Sequence, residues 1–218
     1  MTPFPSLRGR PAGGRLLPGD FYLRSALEVA PDLLGKLLCR RRRGVVTAGR
    51  IVEVEAYLGA DDPASHAHRG PTPRNRAMFG PGGRAYVYFT YGNHYCMNVV
   101  TGPRGVGSGV LLRALEPTEG IETMRRRRGT PALEHLASGP GRLAQALAID
   151  AACCGHDLGA DPLWLEDDGA APPACLATPR IGIRKAADRL YRFIVPDSRF
   201  VSRPRLGPLL HRPPDPAP

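Results

Sequence analysis

GRIVEVEAYLG, residues 49–59, is an alternating and β-branched run bounded by glycines, a pattern that predicts a strand. Side chains along a strand alternate between its two faces. One face would carry Val52, Val54 and Ala56, and the other would carry Ile51, Glu53, Glu55 and Tyr57. Two carboxylates and a phenol on one side of a core strand predict either a pocket wall or a solvated sheet face.

A second strand-like segment, RAYVYFTYGNHYCMNVV at residues 84–100, is interrupted by Gly92-Asn93. Two β-branched and aromatic runs on either side of Gly-Asn predict a β-hairpin. A two-residue loop would pair Tyr88 with Met97, whereas a three-residue loop extended to residue 94 would pair Tyr88 with Asn98. Only the second register places Tyr88 and Asn98 on one face of the sheet.

The tip of this hairpin carries Tyr91, directly before the turn. An aromatic side chain at that place has no core of its own to enter. It either folds back on its own sheet or inserts into a partner, as apolar wedges do in nucleic-acid grooves. The pattern alone does not choose between the two.

The charge balance indicates a polyanionic partner. The 218 residues suffice for one domain with a single core, and 30 basic against 20 acidic residues give a net charge of +10. Lys36 and Lys185 are the two lysines, so 28 of the 30 basic residues are arginines, which bind phosphate in a bidentate manner. A G+C-rich genome would also enrich arginine, but it would not explain the net charge.

Cysteine usage and hydropathy restrict the compartment. Five cysteines without a CxxC pair fit neither a disulfide framework nor a zinc ribbon. The first 19 residues lack the apolar core of a signal peptide, and no segment approaches the roughly 18 to 20 apolar residues of a membrane span. We therefore expect an intracellular protein that is not secreted and has no membrane partner.

The two ends of the chain differ from its middle. Residues 1–19 and 203–218 are rich in proline, glycine and arginine and lack periodicity, so they are predicted to be disordered tails, the first basic and the second proline-rich. Residues 20–202 form the predicted domain. Its first apolar segment, which Pro31 interrupts, predicts two short helices.

Two runs of four arginines stand far apart in the sequence. Arg40–Arg43 is typical of a solvated turn, with a direct nucleic-acid contact as the alternative. Thr118 is expected to cap a helix that runs through Arg128 and ends before Gly129, where basic residues in the last turn are ordinary. On this interpretation the second run needs no ligand.

Three further places suit an anion. Arg113 lies inside an apolar run, and a buried arginine needs a carboxylate or an anion beside it; Glu53, Glu55 or a nucleic-acid phosphate would serve. The turn TPRNR, residues 72–76, could clamp a phosphate or pair with Asp61 and Asp62. SGPGR, residues 138–142, opens a helix with proline in its first turn and free backbone N–H groups. The candidate phosphate contacts are Arg74, Arg76, Gly139, Gly141 and Arg142.

Ten blocks follow one another along the chain: RIVEVEAYLG (50–59), His66, TPRNR (72–76), MF (78–79), YVY (86–88), YG (91–92), MN (97–98), LLRALEP (111–117), SGPG (138–141) and PRIGI (179–183). Their order and spacing resemble the alkyladenine (3-methyladenine) DNA glycosylases, up to about residue 202. The resemblance implies an α+β fold in a single domain, with a mostly antiparallel, curved sheet, short helices around it and a protruding β-hairpin that inserts into DNA.

The resemblance also implies an activity. Such an enzyme is a monofunctional DNA N-glycosylase that flips alkylated or deaminated purines out of duplex DNA and hydrolyses the N-glycosidic bond, the start of base excision repair. The substrates would be of the 3-methyladenine, hypoxanthine and ethenoadenine class. No cofactor or metal is implied, the partner is double-stranded DNA containing damaged purines, and a monomer in a bacterial-type cytoplasm, associated with the nucleoid, is expected.

The matching positions carry over roles. Glu55 matches the general base, although alternation alone does not separate it from Glu53, and Arg113 matches an arginine near the catalytic water and the target phosphate. The residues that match the base pocket are Tyr57, His66 and Tyr88, which stack, and Asn98, which discriminates against the exocyclic amine of guanine. Tyr91 matches the side chain that fills the gap in the duplex.

Two departures and two rival functions accompany this interpretation. Asn93 stands where relatives often carry an apolar residue, and residues 102–108 form a longer, glycine-rich loop. One rival is a metal-dependent nuclease or phosphoesterase, whose ligands would be Glu53, Glu55, His66 and His68. The other is a nucleic-acid-binding protein without enzymatic activity, which the charge alone would allow.

Overall fold

The computed structural model describes residues 14–90 and 92–202. Their ten strands are β1 (Arg15–Leu16), β2 (Leu37–Arg42), β3 (Val45–Tyr57), β4 (Ala85–Thr90), β5 (His94–Thr101), β6 (Ser108–Glu119), β7 (Gly159–Ala160), β8 (Leu163–Asp167), β9 (Leu176–Thr178) and β10 (Arg192–Ile194). The helices are α1 (Ala26–Leu33), α2 (Ile121–Arg128) and α3 (Pro140–Leu147), with short 3-10 turns between elements. The strands form one curved antiparallel sheet in the order β1-β8-β2-β3-β6-β5-β4, with β7, β9 and β10 as side branches. The predicted α+β class is confirmed.

β3 is the strand around which the sheet is assembled. It has 13 residues, a length of roughly 43 Å at 3.3 Å per residue. One edge pairs with β6, and the other pairs with β2 over residues 45–50 and with β10 over residues 53–55. Both edges of β3 are therefore paired with other strands at Glu53 and Glu55. This pairing fixes the backbone that carries the two side chains.

Bulges in β3 and β6 break the alternation predicted for residues 51–57. In the register between these strands, Val52 has no partner in β6 and Arg113 has none in β3. Ile51 consequently packs with Val54 and Ala56 in the main core, while Val52 packs in a small separate cluster beside β10. The predicted faces of Ile51 and Val52 are wrong, because a strict period of two assumes a strand without bulges.

The hairpin prediction is confirmed, but both predicted registers are wrong. β4 and β5 pair Tyr88 with Cys96 and Tyr86 with Asn98, so the connection consists of residues 91–93. Gly92 within it has a φ of 71°, a left-handed conformation that glycine adopts without strain. Since this register differs by two residues from the predicted three-residue loop, Tyr88 and Asn98 still share a face. Tyr91 itself lies outside the described residues.

Two helix predictions also need correction. α1 continues through Pro31 to Leu33, because the proline stands in the last turn of a helix held by a capping box between Ser25 and Glu28. α2 begins at Ile121 with Gly120 at its N-cap, so Thr118 belongs to β6 and caps nothing. A side chain at residue 120 would lie 2.4 Å from the Val46 carbonyl oxygen, which explains the glycine.

The termini bear on the predicted tails. Residues 14–19, which were assigned to the first predicted tail, include β1, which pairs with β8, and the buried Leu17. The tails from 1 to 13 and from 203 to 218 lie outside the described residues. No helix in the described part is long and apolar enough to cross a membrane.

Candidate active site

A cavity of about 200 Å³ opens between β4, β5 and the segment that follows β9. Its wall contains four ring side chains, from Tyr57, His66, Tyr86 and Tyr88, and the remaining wall includes Met78, Cys96, Asn98, Leu111, Arg113, Pro140 and Ile181. A dry cavity of roughly 150 Å³ already admits a benzene ring. The size and the aromatic lining therefore suit a flat heterocycle.

Glu55 lies fully buried one layer behind this wall. Its carboxylate accepts hydrogen bonds from the Ile181 backbone N–H at 2.7 Å and from the Tyr57 hydroxyl at 2.9 Å, and Arg113 Nη1 lies 3.3 Å away. All three partners line the cavity, whereas Glu55 does not. Three residues of the cavity wall therefore hold the Glu55 carboxylate directly behind it.

Glu53 is equally buried but occupies a closed network. Its Oε1 accepts from Arg113 Nε at 2.9 Å, from Arg192 Nε at 2.7 Å and from Ser202 Oγ at 2.8 Å, and its Oε2 accepts from the Ser202 N–H at 2.6 Å. Burial raises the pKa of Glu53, but Arg113, Arg192 and the Ser202 N–H outweigh it and hold the pKa below its ordinary value. This carboxylate is built into the fold.

The bulge in β6 places Arg113 between the two carboxylates. Its guanidinium contacts Glu53 and Glu55 and lies 3.4 Å from Ser202 Oγ. Bulges commonly re-aim side chains next to active sites. Both carboxylates named as candidate partners for this arginine therefore contact it, and its remaining surface faces the cavity.

Two contacts fix Tyr57, one at its hydroxyl and one on its ring. Its hydroxyl donates to Glu55, and the guanidinium of Arg180 lies 4.6 Å from the ring centroid. Burial, and then the Glu55 charge, raise the pKa of Tyr57, so the phenol keeps its proton. Arg180 is itself held by a buried ion pair with Asp62, which excludes the pairing of Asp62 with the arginines of the 72–76 turn considered from the sequence. Arg180 was not among the predicted site residues, although it lies in the PRIGI block.

His66 and two tyrosines form the aromatic wall. The His66 ring lies 4.5 Å from that of Tyr88, and Tyr86 and Tyr88 stack with centroids 5.3 Å apart. His66 Nδ1 is 3.1 Å from the Tyr86 hydroxyl, and burial followed by the charge of Arg74 lowers the pKa of the imidazole. His66 is therefore neutral near pH 7. Tyr86 was not among the predicted pocket residues, although alternation along β4 places it on the face of Tyr88.

Asn98 faces the same cavity from β5. It is buried, and its Nδ2 lies 3.5 Å from the Tyr86 carbonyl oxygen, at the limit of a hydrogen bond. An amide held this weakly can exchange that contact for one with a ligand. Sequence matching and the structure therefore place Asn98 on one wall with Tyr57, His66 and Tyr88.

The candidate phosphate contacts separate into groups. Arg113, Gly139 and Arg142 line a second hollow of about 410 Å³, which shares Arg113 and Pro140 with the cavity. Arg74 is exposed and donates to the Phe89 carbonyl oxygen, and Arg76 is exposed beside it. Gly141 packs on the hairpin instead, since a Cβ there would lie 2.8 Å from His94 Cγ.

The four side chains of the metal-dependent rival do not converge. Glu53 is enclosed by two arginines and Ser202, and Glu55 by Tyr57, Ile181 and Arg113. His66 contacts Tyr86, and His68 Nδ1 lies 2.7 Å from the Ala60 carbonyl oxygen. Residues 14–90 and 92–202 contain no group of three His, Cys, Asp or Glu side chains that could hold a metal ion.

Comparison with known proteins identifies the family. A family model described as methylpurine-DNA glycosylase matches residues 20–199. A Burkholderia lata protein with the provisional name 3-methyladenine DNA glycosylase is 53% identical over 204 residues, covering 90% of this chain and 97% of its own. Proteins with the same provisional name from Methanoculleus marisnigri (54% over 192 residues, covering 86% and 98%) and Rhodopseudomonas palustris (52% over 200 residues, covering 92% and 94%) are similar. The chain therefore belongs to the methylpurine-DNA glycosylase family and is a DNA N-glycosylase.

Proposed function

We propose that this glycosylase flips damaged purines, of the 3-methyladenine, hypoxanthine and ethenoadenine class, out of duplex DNA into the cavity and hydrolyses their N-glycosidic bond. The observation that carries the proposal is the buried Glu55 carboxylate directly behind an aromatic-lined cavity. The enzyme acts as a monomer on DNA that contains damaged purines. Because its substrate is chromosomal DNA, it acts at the nucleoid in the cytoplasm.

Glu55 meets the two needs of this hydrolysis. The transition state has oxocarbenium character, so a fixed negative charge beside the sugar stabilises it, and a carboxylate can also take a proton from the attacking water. Tyr57 and the Ile181 N–H orient the carboxylate. Arg113 lies between Glu55 and the hollow that Arg142 lines, where it can hold the target phosphate or the water.

The cavity wall selects the base. Flipping exposes both faces of a purine, and the rings of Tyr57, His66 and Tyr88 replace the stacking lost from the duplex. Nδ1 of the neutral His66 ring contacts the Tyr86 hydroxyl, which leaves Nε2 to interact with a base edge. Asn98 lines the same cavity, and we expect it to discriminate against the exocyclic amine of guanine, the role that its match to the family motif implies.

A single-turnover assay of base release tests the proposal. Duplexes with hypoxanthine, 1,N6-ethenoadenine or 3-methyladenine are compared with undamaged duplex, with and without EDTA. Release of at least one damaged base, insensitive to EDTA, is the expected result. Duplex binding without any release would favour the binding protein without enzymatic activity, and loss of release in EDTA would favour a metal-dependent reaction.

The enzyme should release a base and leave the abasic site uncut. A lyase step needs an amine that forms a Schiff base. Lys36 forms an ion pair with Asp167 at 2.6 Å, and Lys185 lines a neighbouring hollow that shares His66 with the cavity without lining the cavity itself. Strands should therefore stay intact until alkali is added, and Lys185→Gln should behave like wild type. A borohydride-trapped covalent complex would contradict this.

Replacing Tyr91 by alanine should slow excision from a paired duplex more than excision from a mismatch. If the ring fills the space of the flipped nucleotide, it offsets stacking that flipping breaks, an effect of a few kcal/mol at most, and a mismatch has less stacking to break. The measurement is the ratio of single-turnover rates on the two substrates, together with the melting temperature.

Phe89→Ala is the matched control on the same hairpin. Phe89 is half exposed and its ring contacts Tyr95 with centroids 5.0 Å apart. Its loss should lower stability and slow all substrates alike. An unchanged rate ratio with a lowered melting temperature for Tyr91→Ala would mean that the tyrosine folds back on its own sheet.

A further inference from the structure

The fold brings the two arginine runs of the sequence together. Arg42 ends β2 and Arg43 follows it, and Arg126 and Arg127 lie in the last turn of α2, yet all four line one hollow of about 620 Å³. We name this site, defined by Arg42, Arg43, Arg126 and Arg127, the arginine hollow. Its floor comes from the C-terminal half of α3, including Ala144 and Gln145, and from Ala148 just past the helix.

The charges in the arginine hollow are not balanced. Asp150 is the one acidic side chain among the lining residues, and its carboxylate lies 3.7 Å from Arg42 Nη1. Burial, and then the charges of Arg42, Arg40 and Arg126, lower the pKa of Arg127. Four guanidinium groups against one carboxylate leave a site in which an anion offsets the repulsion.

The arginines also keep donors for a ligand. Arg127 Nη1 donates to the Ala146 carbonyl oxygen at 2.8 Å, which fixes the guanidinium at the floor. Arg126 uses one nitrogen, Nη2, on Thr123 Oγ1 at 2.9 Å, and both Arg126 and Arg43 are exposed. An arginine has five N–H donors, so this arrangement leaves several that point toward solvent-accessible space.

Helix α3 connects the arginine hollow with the catalytic cavity. Pro140 at its start lines the cavity, and Ala148 just past its end lines the arginine hollow. Eight residues of helix span about 12 Å at 1.5 Å per residue. A duplex that lies along α3 rises by about 3.4 Å per base pair, so the two ends of the helix would face positions roughly three to four base pairs apart.

Further arginines lie along α3, between the cavity and the arginine hollow. Arg142 stands in the first turn of α3, and Arg128 donates to Gln145 near its end. Burial, followed by the charge of Arg142, lowers the pKa of Arg128. The two guanidinium groups are therefore close enough to repel each other electrostatically. Positive charge thus extends from the hollow beside the cavity to the arginine hollow.

We propose that the arginine hollow binds phosphates of the DNA backbone about three to four base pairs from the flipped nucleotide, independently of sequence. The inference rests on the proposed function, which places the lesion at the catalytic cavity. The site anchors the flanking duplex while the chemistry proceeds at the far end of α3.

The test is the salt dependence of binding to undamaged duplex DNA by the variant Arg43→Asn/Arg126→Gln. Asparagine tolerates the φ of 50° at residue 43, so the backbone need not change. Each phosphate contact contributes about 0.9 to the slope of log affinity against log salt, and the double variant should lose roughly 1.8 of that slope. Its melting temperature should not fall, because removing two like charges relieves repulsion.

A matched control removes the same charge elsewhere. Arg15 is exposed on β1, and Arg24 forms a partly exposed ion pair with Asp32, an interaction worth little. Arg15→Gln/Arg24→Gln should keep the wild-type slope. An unchanged slope in the first variant, or an equal loss in the control, would overturn the proposal.

A second readout separates this inference from the proposed function. At saturating enzyme, the single-turnover rate of base release by Arg43→Asn/Arg126→Gln should equal that of the wild type, since neither residue touches the cavity. If wild type releases no base but the slope changes as expected, the proposed function fails and the phosphate site stands. If wild type releases base and the slope does not change, the phosphate site alone is refuted.

Discussion

Replacing Glu55 by glutamine should slow base release by roughly 100-fold to 10,000-fold, the usual cost of losing a general base. Glutamine keeps the shape of the side chain and an oxygen for the Ile181 N–H or the Tyr57 hydroxyl, but it carries no charge and accepts no proton. Binding to lesion duplex should therefore stay close to that of the wild type. Single-turnover rates at saturating enzyme, with the dissociation constant measured in parallel, give both quantities.

Glu53→Gln is the control for this assignment. The two carboxylates are both fully buried and both contact Arg113, so they differ in network rather than in exposure. If Glu55→Gln releases base at nearly the wild-type rate while folded Glu53→Gln is inactive, the general base has been assigned to the wrong carboxylate.

Replacing Glu53 by glutamine should instead cost stability. Glu53 compensates the buried charges of Arg113 and Arg192, and breaking a buried pair by removing one partner costs about 3 to 5 kcal/mol. For a domain of this size, 1 kcal/mol shifts the melting temperature by about 2 to 4 °C, so a fall of roughly 6 to 20 °C is expected. Thermal unfolding followed by circular dichroism measures it.

Glu122→Gln provides the matched comparison, because Glu122 forms an exposed ion pair with Arg125 and its loss should change the melting temperature little. A pH series adds a second check. The folded pKa of Glu53 lies below its unfolded value, so its contribution is present above about pH 4.3 and is lost as the pH falls toward the folded pKa. Glu53→Gln should lack that loss. Equal melting temperatures for Glu53→Gln and Glu122→Gln would refute the structural role of Glu53.

These two predictions depend on a distinction that alternation could not make. The pattern of residues 49–59 places Glu53 and Glu55 on one strand face, and matching to the family motif favours Glu55. The structure supplies the physical difference: Glu53 is surrounded by two arginines and Ser202, while the partners of Glu55 form the cavity wall. Arg192 and Ser202 lie about 140 and 150 residues further along the chain, beyond the reach of any local pattern.

The hairpin shows the same limit at shorter range. Strand character and the turn around Gly92 were predictable, because aromatic and β-branched residues favour strands and glycine supplies the left-handed conformation. The register was not, because Gly-Asn fits loops of different length. Tyr88 and Asn98 reach one wall because the register places Tyr88 opposite Cys96. No local sequence pattern predicts that register.

The sequence by itself determined the α+β class, the strand at the centre of the sheet, the hairpin, the helix that begins at Pro140 and four of the side chains around the cavity, those of Tyr57, His66, Tyr88 and Asn98. Those features depend on local periodicity, on turn and cap residues, and on motif blocks that can be matched position by position. Only the tertiary structure decided where the bulges place Arg113, which carboxylate is enclosed, how Arg180 holds Tyr57, and that Arg42 and Arg43 face Arg126 and Arg127. Each of these is a contact between segments distant in the chain, and its energy comes from packing, desolvation and charge pairing that exist only once the sheet has closed.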